Sequence, residues 1–232
     1  MFSRHILFMS KNEILFFENF LDLNQTTAKK LFENIYYPWE VLPKIKNFIL
    51  EVGPTLSKDE YDEVSENVWI SKEAKVANSA HIDGPTIIGK GTEIRHCAFI
   101  RGSVIVGKNC VVGNSTEIKN SILFNRVQVP HFNYVGDSVL GYKAHMGAGS
   151  ITSNVKSDRT PVTVKVDKEK MNTGLKKFGG ILGDYVEIGC NAVLNPGSVI
   201  GRNASVYPTS MVRGFIPENT IFKNTGEIIK KI

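Results

Sequence analysis

The sequence predicts a mainly β chain wound as a left-handed parallel β-helix, on three observations. From Ile70 an aliphatic residue falls every six positions: Ile70, Val76, Ile82, Ile88, Ile94, Ile100, Val106, Val112 and Ile118. Four residues after each comes a small or compact one, among them Ala74, Ala80, Thr86, Thr92, Ala98, Val104, Cys110 and Thr116. Glycine often follows the aliphatic directly, as at Gly89, Gly107, Gly113, Gly141, Gly147, Gly183, Gly189 and Gly201. Neither a helix, with period 3.6, nor a plain strand, with period 2, produces a strict six. One short strand plus a turn per unit does, and three units then close a triangular coil with the aliphatics stacked inside. The small residue fits where the chain rounds a corner, and glycine permits a turn that a side chain would crowd. An ordinary sandwich would space its apolar residues variably.

Residues 1–65 stand outside this pattern. Apolar residues in KNEILFFENFLDLNQTTAKKLFENIYYPWEVLPKIKNFILEV fall at helical spacing, broken at the YYP step and at Pro43. They predict two or three helices on the first coil, capping an edge that otherwise invites aggregation. Trp39 and Trp69 are expected to pack at that junction, and His5 to lie at the surface. The β-helix is expected over 66–215, with two interruptions. Between Ile118 and Leu140 the register slips across a stretch containing VPHFNY, which frees His131 and Tyr134 from the in-and-out rule of the coil. Between Asn154 and Gly183 the chain is too charged and irregular to be a coil. The inserted loop 155–177 has seven Lys/Arg against three Asp/Glu. Excursions from a solenoid often form its binding face; a basic flap over an anion and a solvated loop both fit. The six-residue pattern resumes as Leu182, Ile188, Leu194, Ile200 and Val206, and 216–232 form a tail containing a short strand or helix.

Composition narrows the class. The 232 residues are 42% hydrophobic and 22% charged, enough apolar material for a core, so disorder is excluded as a global description. No apolar run approaches the roughly 20 residues that span a bilayer. The opening MFSRHILFMSKNEILFF mixes charge into its apolar stretch and lacks a small-residue cleavage site, so it does not read as a signal peptide. Cys97, Cys110 and Cys190 show no CxxC spacing, which supports neither a disulfide framework nor a zinc knuckle. A cytoplasmic location and no membrane partner are expected. The net charge of +5 is scattered, without a dense basic run or an aromatic stacking motif, and no nucleic-acid partner is expected. A metal-dependent hydratase on this fold needs three converging imidazoles. His81 and His96 are fifteen residues apart rather than a coil's eighteen, so no metal site is expected.

Stacking arithmetic singles out two cations. Arg101 and Lys119 are eighteen residues apart, each directly after a repeat aliphatic, so they should emerge one above the other. Successive coils lie about 4.8 Å apart, and two like charges at that distance cost about 1–3 kcal/mol. A bound phosphate reverses that cost through charge-assisted hydrogen bonds; the alternative is that both side chains splay into solvent. A loop histidine near such cations, as His131 is expected to be, has its pKa pushed down and stays neutral, available as a base.

The stretch IRGSVIVGKNCVVGNSTEIKNS, continued by VPHFNYVGDSVLGYKAHMGAGSITSN and, after the insertion, by KKFGGILGDYVEIGCNAVL, resembles a known family. It is similar to the acetyltransferase domain of the bifunctional N-acetylglucosamine-1-phosphate uridyltransferase and glucosamine-1-phosphate acetyltransferase. The H-x-x-Y-x-G-D and G-A-G-[TS]-I-T-x-N strings are more specific than the repeat, which many acyltransferases share. The resemblance implies acetyl-CoA as co-substrate, an amino-sugar phosphate or nucleotide-linked amino sugar as acceptor, and a homotrimer with its sites between subunits. It places the general base on His131, and sugar-phosphate contacts on Arg101, Lys119 and Tyr134. Lys177 matches a further phosphate contact across the gap, and Asn154 lies at the acetyl group. Two positions depart from the family: His145 replaces a sugar-contacting asparagine, and Cys190 replaces a serine on the coenzyme side. The family's C-terminal coenzyme arginine has no clear counterpart, though Lys223 lies nearby. The nucleotidyltransferase half's L-x-x-G-x-G-T-x-M loop is absent, since no glycine precedes Gly53. The PWEVL string resembles the tail of such a domain, so uridyl transfer is not expected. A non-catalytic sugar-phosphate or sugar-nucleotide binding module is the alternative.

Overall fold

The computed structural model describes residues 13–231. Each coil lays one short strand on each of three faces. In one representative coil these are Val104–Val106 on face one, Val111–Asn114 on face two and Glu117–Lys119 on face three. Stacking the coils builds sheets of nine, nine and seven strands, parallel except for one edge strand in each nine-stranded sheet, the β-helix that the six-residue period predicts. Ile82, Ile100 and Ile118 are register partners on face three, as are Ile94 and Val112 on face two. Ile88, Ile100, Val112 and Ile118 are fully buried, and burial of each such side chain contributes about 1.5–3 kcal/mol.

The corners explain the rest of the repeat. From Gly91 on, a left-handed backbone turns the corners one residue before the small position: Gly91, Cys97, Ser103, Asn109 and Ser115 have positive φ. The small residue itself turns inward and is buried, as at Ala98, Val104, Cys110 and Thr116. Threonine is compatible there because its hydroxyl is satisfied; Thr92 Oγ1 donates to the Gly107 carbonyl at 2.7 Å and accepts from Cys110 N–H at 3.0 Å. Burial pushes the Cys110 thiol up to about 12, consistent with a packing role. Where glycine follows the aliphatic, close approach between coils requires it. A Cβ at Gly107 would stand 2.7 Å from the Asn125 nitrogen, and one at Gly113 would stand 1.4 Å from the Pro130 carbonyl oxygen.

The register slips between Ile118 and Leu140, as the sequence predicts, but not within VPHFNY itself. Val129 and Val135 keep the six-residue spacing and are buried, so the VPHFNY stretch follows the in-and-out rule. Instead two coils are each one residue short at the corner between faces three and one. Ile100 pairs with Ile118, eighteen residues on, but Ile118 pairs with Val135 and Val135 with Thr152. The shortened corners are those turned by Asn120 and Asp137, both with positive φ.

The N-terminal segment also differs from expectation. Among its described residues there is one α-helix, α1 (Ile45–Val52), and the remainder is short 3-10 turns. Pro38, Pro43, Pro54 and the polar run Asn24–Thr27 deny it longer α-helices. It does not sit on the first coil as a cap but runs lengthwise over face one. The Phe20 carbonyl accepts from Asp184 N–H at 2.9 Å, and the Gln25 carbonyl from Asn125 N–H at 2.8 Å. Phe32 packs on Phe124 with ring centroids 5.9 Å apart, and Trp39 on Phe178 at 5.6 Å. Gly53 lies on the Trp69 ring, where a Cβ would approach to 2.3 Å. His5 lies outside the described residues. The sheet edges are closed by antiparallel strands, Tyr61–Ser65 on Val68–Ser71 at one end and Ile228–Lys230 on Thr220–Phe222 at the other.

The insertion is an ordered hairpin, Thr163–Val166 with Glu169–Asn172. Val162, Val164 and Val166 are buried, while Lys165, Lys168 and Lys170 face outward. No helix among the described residues is long and apolar enough to cross a membrane.

Candidate functional site

The corner shortened by one residue carries a knot of polar groups around one carboxylate. Asp137 is buried and accepts from Asn120 Nδ2 at 2.8 Å and from Asn154 Nδ2, with Lys119 Nζ at 3.4 Å. Asn120, Asp137 and Asn154 follow one another at seventeen residues, the length of the short coils. The Tyr134 hydroxyl faces the Asn154 amide, which acts to lower the hydroxyl's pKa. Its ring lies against Gly136, where a Cβ would come within 2.6 Å of the phenol oxygen. Burial, then the Asp137 and Glu117 carboxylates, push the Tyr134 hydroxyl up, so it stays protonated and able to donate at neutral pH. Arg101 stands one coil from Lys119, as the stacking arithmetic requires, but each cation has its own carboxylate. Arg101 Nη1 meets Glu117 Oε1 at 2.6 Å, which relieves the expected like-charge repulsion within the chain. Lys177 is exposed and precedes Phe178, whose N–H donates to the Asn154 carbonyl at 2.9 Å.

His131 belongs to a different corner. It ends the face-two strand Gln128–His131, and Phe132, with positive φ, turns the chain into face three. Tyr134–Gly136 then separates it from Asp137, so His131 is not beside the two cations as expected. Its ring is exposed and makes no hydrogen bond with any described residue. The loop beneath it is fixed: Asn133 Oδ1 accepts from His131 N–H at 3.1 Å, and Asn133 Nδ2 donates to the Gly147 carbonyl at 2.8 Å. Cys190 lies on the same corner two coils on, through the ladder Gly149 N–H to His131 carbonyl and Asn191 N–H to Ala148 carbonyl. His145 points elsewhere. It lies on face two between Gln128 and Glu187, with Nδ1 2.8 Å from Glu187 Oε2, and does not join the Asp137 knot within one chain. Among the described residues, no group of three His, Cys, Asp or Glu is placed to hold a metal ion.

The model of the GMPPB C-terminal domain family matches residues 84–229, well over half of the chain. The chain belongs to this family. It is also 34% identical over 111 residues to the bifunctional protein GlmU of Methanococcus aeolicus, covering 48% of this chain and 27% of that relative. The bifunctional sugar-1-phosphate nucleotidylyltransferase/acetyltransferase of Sulfurisphaera tokodaii is 33% identical over 103 residues, covering 44% and 26%. The chain therefore spans about a quarter of the length of these relatives. Among solved structures, the polySia specific acetyltransferase NeuO matches with TM-score 0.44 and 16% identity, over 68% of this chain and 80% of that one.

For this member of the family, stacking arithmetic singles out Lys119, the register slip and the resemblance Tyr134, and the resemblance alone Asn154, but none of them points to what holds these side chains. Asp137 stands inside the H-x-x-Y-x-G-D string, and Asn120 and Glu117 flank Lys119. Eighteen-residue arithmetic cannot align Asn120, Asp137 and Asn154, because the coils between them have seventeen residues. A search at seventeen finds all three.

Proposed function

We propose that the chain is an acetyl-CoA-dependent N-acetyltransferase acting on an amino-sugar phosphate or a nucleotide-linked amino sugar. The observation that carries this reading is the Asp137 knot. It presents Lys119, Tyr134 and Asn154 together on the short-coil corner, in a chain similar to enzymes named as sugar-phosphate nucleotidylyltransferase/acetyltransferases. Arg101, Lys119, Tyr134 and Lys177 would hold the acceptor's phosphate, with the carboxylates of Glu117 and Asp137 fixing the cations until it arrives. Asn154, positioned by Asp137, would orient the amine. On the His131 corner, the small residues Ala148 and Cys190 lie beside a row containing Ile151, Val193 and Met211. This row offers apolar contact to the extended arm of acetyl-CoA.

In the reaction, the amine nitrogen attacks the thioester carbonyl carbon, a C–N bond forms and the C–S bond breaks. His131 takes the amine proton, and the departing sulfur takes one up to leave as the free thiol. Positioning two substrates together supplies roughly 7–11 kcal/mol of the barrier reduction. The exposed His131 and the Asp137 knot lie at opposite corners of face three. This arrangement supports a site completed by a second copy, in keeping with the expected homotrimer.

The absence of any hydrogen bond orienting the His131 ring within the described chain favours a second reading, a sugar-phosphate binding module without catalysis. Thiol release separates them. Purified protein should liberate coenzyme A thiol with an amino-sugar phosphate or its nucleotide-linked form, and His131→Ala should lower kcat by about 10²-fold or more. Binding of the sugar phosphate without thiol release, and without heat on adding acetyl-CoA, establishes the module instead.

A further inference from the structure

A concavity of about 440 Å³ lies on face two, at the corner where face one turns into it. Asn109, Arg126, Gln128, Lys143 and Tyr185 line it, together with the paired His145 and Glu187. Asp137, the centre of the proposed acceptor site, lies at a different corner. Asn109, Arg126, Lys143 and Tyr185 occupy the same corner position on four successive coils, linked by a backbone ladder. In it, Arg126 N–H donates to the Lys108 carbonyl, Lys143 N–H to that of Asn125, and Tyr185 N–H to that of Tyr142.

Backbone conformation argues that these side chains are there for what they present. From Gly91 to Asn219, each residue in this corner column has positive φ. Gly91, Asn109, Asn203 and Asn219 are types that adopt it readily, whereas Arg126 (φ 61), Lys143 (φ 57) and Tyr185 (φ 60) are not. Such a residue costs roughly 1–2 kcal/mol there. The departures from Gly and Asn fall on three adjacent rungs, all of them in the pocket.

Charge points the same way. Arg126 and Lys143 stand on adjacent coils about 4.8 Å apart, and neither has a carboxylate partner among the described residues. The pocket's carboxylate, Glu187, is held by His145. The Lys143 ammonium lies over the Tyr142 and Tyr185 rings, 5.3 and 5.4 Å from their centroids, which fixes its position. Unlike Arg101 and Lys119, neither of these stacked cations is in an ion pair among the described residues.

We infer that the pocket binds a nucleoside diphosphate. The diphosphate bridges Arg126 and Lys143, the Gln128 amide donates to it, and the base lies toward the exposed Tyr185 ring. Four rungs span about 14 Å, too long for a single phosphate and a match for a nucleoside diphosphate. The volume falls within the range of small-molecule sites. The inference holds whether or not the chain transfers an acetyl group, because its test contains no acetyl donor.

Calorimetry of the full chain with UDP, GDP, a UDP-sugar, pyrophosphate and coenzyme A provides that test. Arg126→Asn and Lys143→Asn remove charge while placing a residue suited to positive φ, so the double variant should melt no lower than the wild type. It should bind the nucleoside diphosphates at least tenfold more weakly, and wild-type binding should weaken with added salt. No heat from any nucleoside diphosphate at millimolar concentration, or unchanged affinity in the double variant, overturns the site. Pyrophosphate binding as tightly as UDP and GDP overturns the base contact at Tyr185. Loss of coenzyme A affinity in the double variant with nucleoside diphosphate affinity intact overturns the ligand assignment.

Discussion

Asp137 is a buried acceptor among donors. Its two oxygens face the amides of Asn120 and Asn154 and the Lys119 ammonium, itself largely buried. Replacing the carboxylate by a methyl group leaves two amides and a cation without an acceptor, each unsatisfied group costing about 1–3 kcal/mol. Asp137→Ala should therefore lower unfolding stability by about 3 kcal/mol in urea titration, after partial rescue by water. Asp137→Asn, which keeps one acceptor, should lose less. Equal loss in the two variants would show that volume, not the carboxylate, matters at this corner. The cations around this knot were legible in the sequence because they sit on the regular eighteen-residue part of the spool or in a family string. Asp137 was not, because a one-residue deletion at its own corner changes the separation at which neighbours stack. The glycines show the same limit: their presence is visible, but the sequence does not distinguish a positive φ at a corner, as at Gly91, from close approach to a neighbouring coil, as at Gly113.

The N-terminal segment is an element whose apolar content was legible and whose form was not. Spacing identifies residues that seek a surface, such as Phe20, Phe32 and Trp39, but proline and polar punctuation decide that they reach it as successive tight turns. Asp184 anchors the segment to the spool. Its oxygens accept from Tyr142 N–H and Asp22 N–H, both at 2.8 Å, and Arg202 Nε lies 3.4 Å away. Burial raises its pKa above the ordinary 3.8, although these donors and Arg202 oppose the shift. A carboxyl group with a raised folded-state value binds its proton more readily folded than unfolded. Its contribution to stability therefore grows as pH falls from the raised value toward 3.8, and that gain is absent above the raised value. Asp184→Asn cannot titrate. The difference in urea midpoint, wild type minus variant, should rise as pH is lowered through that window. A difference that stays flat, or falls, removes the burial argument for this residue.

At the scale of the whole molecule, the three faces of the spool are treated differently. Face one is covered by residues 13–55, so its outward side chains meet protein. Face three is left open, and its outward positions stack in one row: Phe99, Glu117, Tyr134, Ile151, Val193 and Met211 are successive register partners. Phe99, Ile151 and Met211 are exposed, Met211 to 66%. A row that is apolar apart from Glu117, on a regular sheet, is a surface that association removes from water, and it lies between His131 and the Asp137 knot, the two halves of the proposed site. The period of six announced the spool, but it specifies inward residues only; which face stays bare depends on where the N-terminal segment lies. If a second copy packs on face three, sedimentation should give a mass of three chains, and Ile151→Lys with Met211→Lys should shift it toward one. Both positions point outward, so the double variant should keep the wild-type β signal in circular dichroism while losing acetyl transfer along with assembly. A wild-type protein that sediments as a single chain at every concentration tested, yet still transfers acetyl groups, would place the complete site within one spool. His131 would then have to act on an amine held at its own corner, some distance along face three from Lys119.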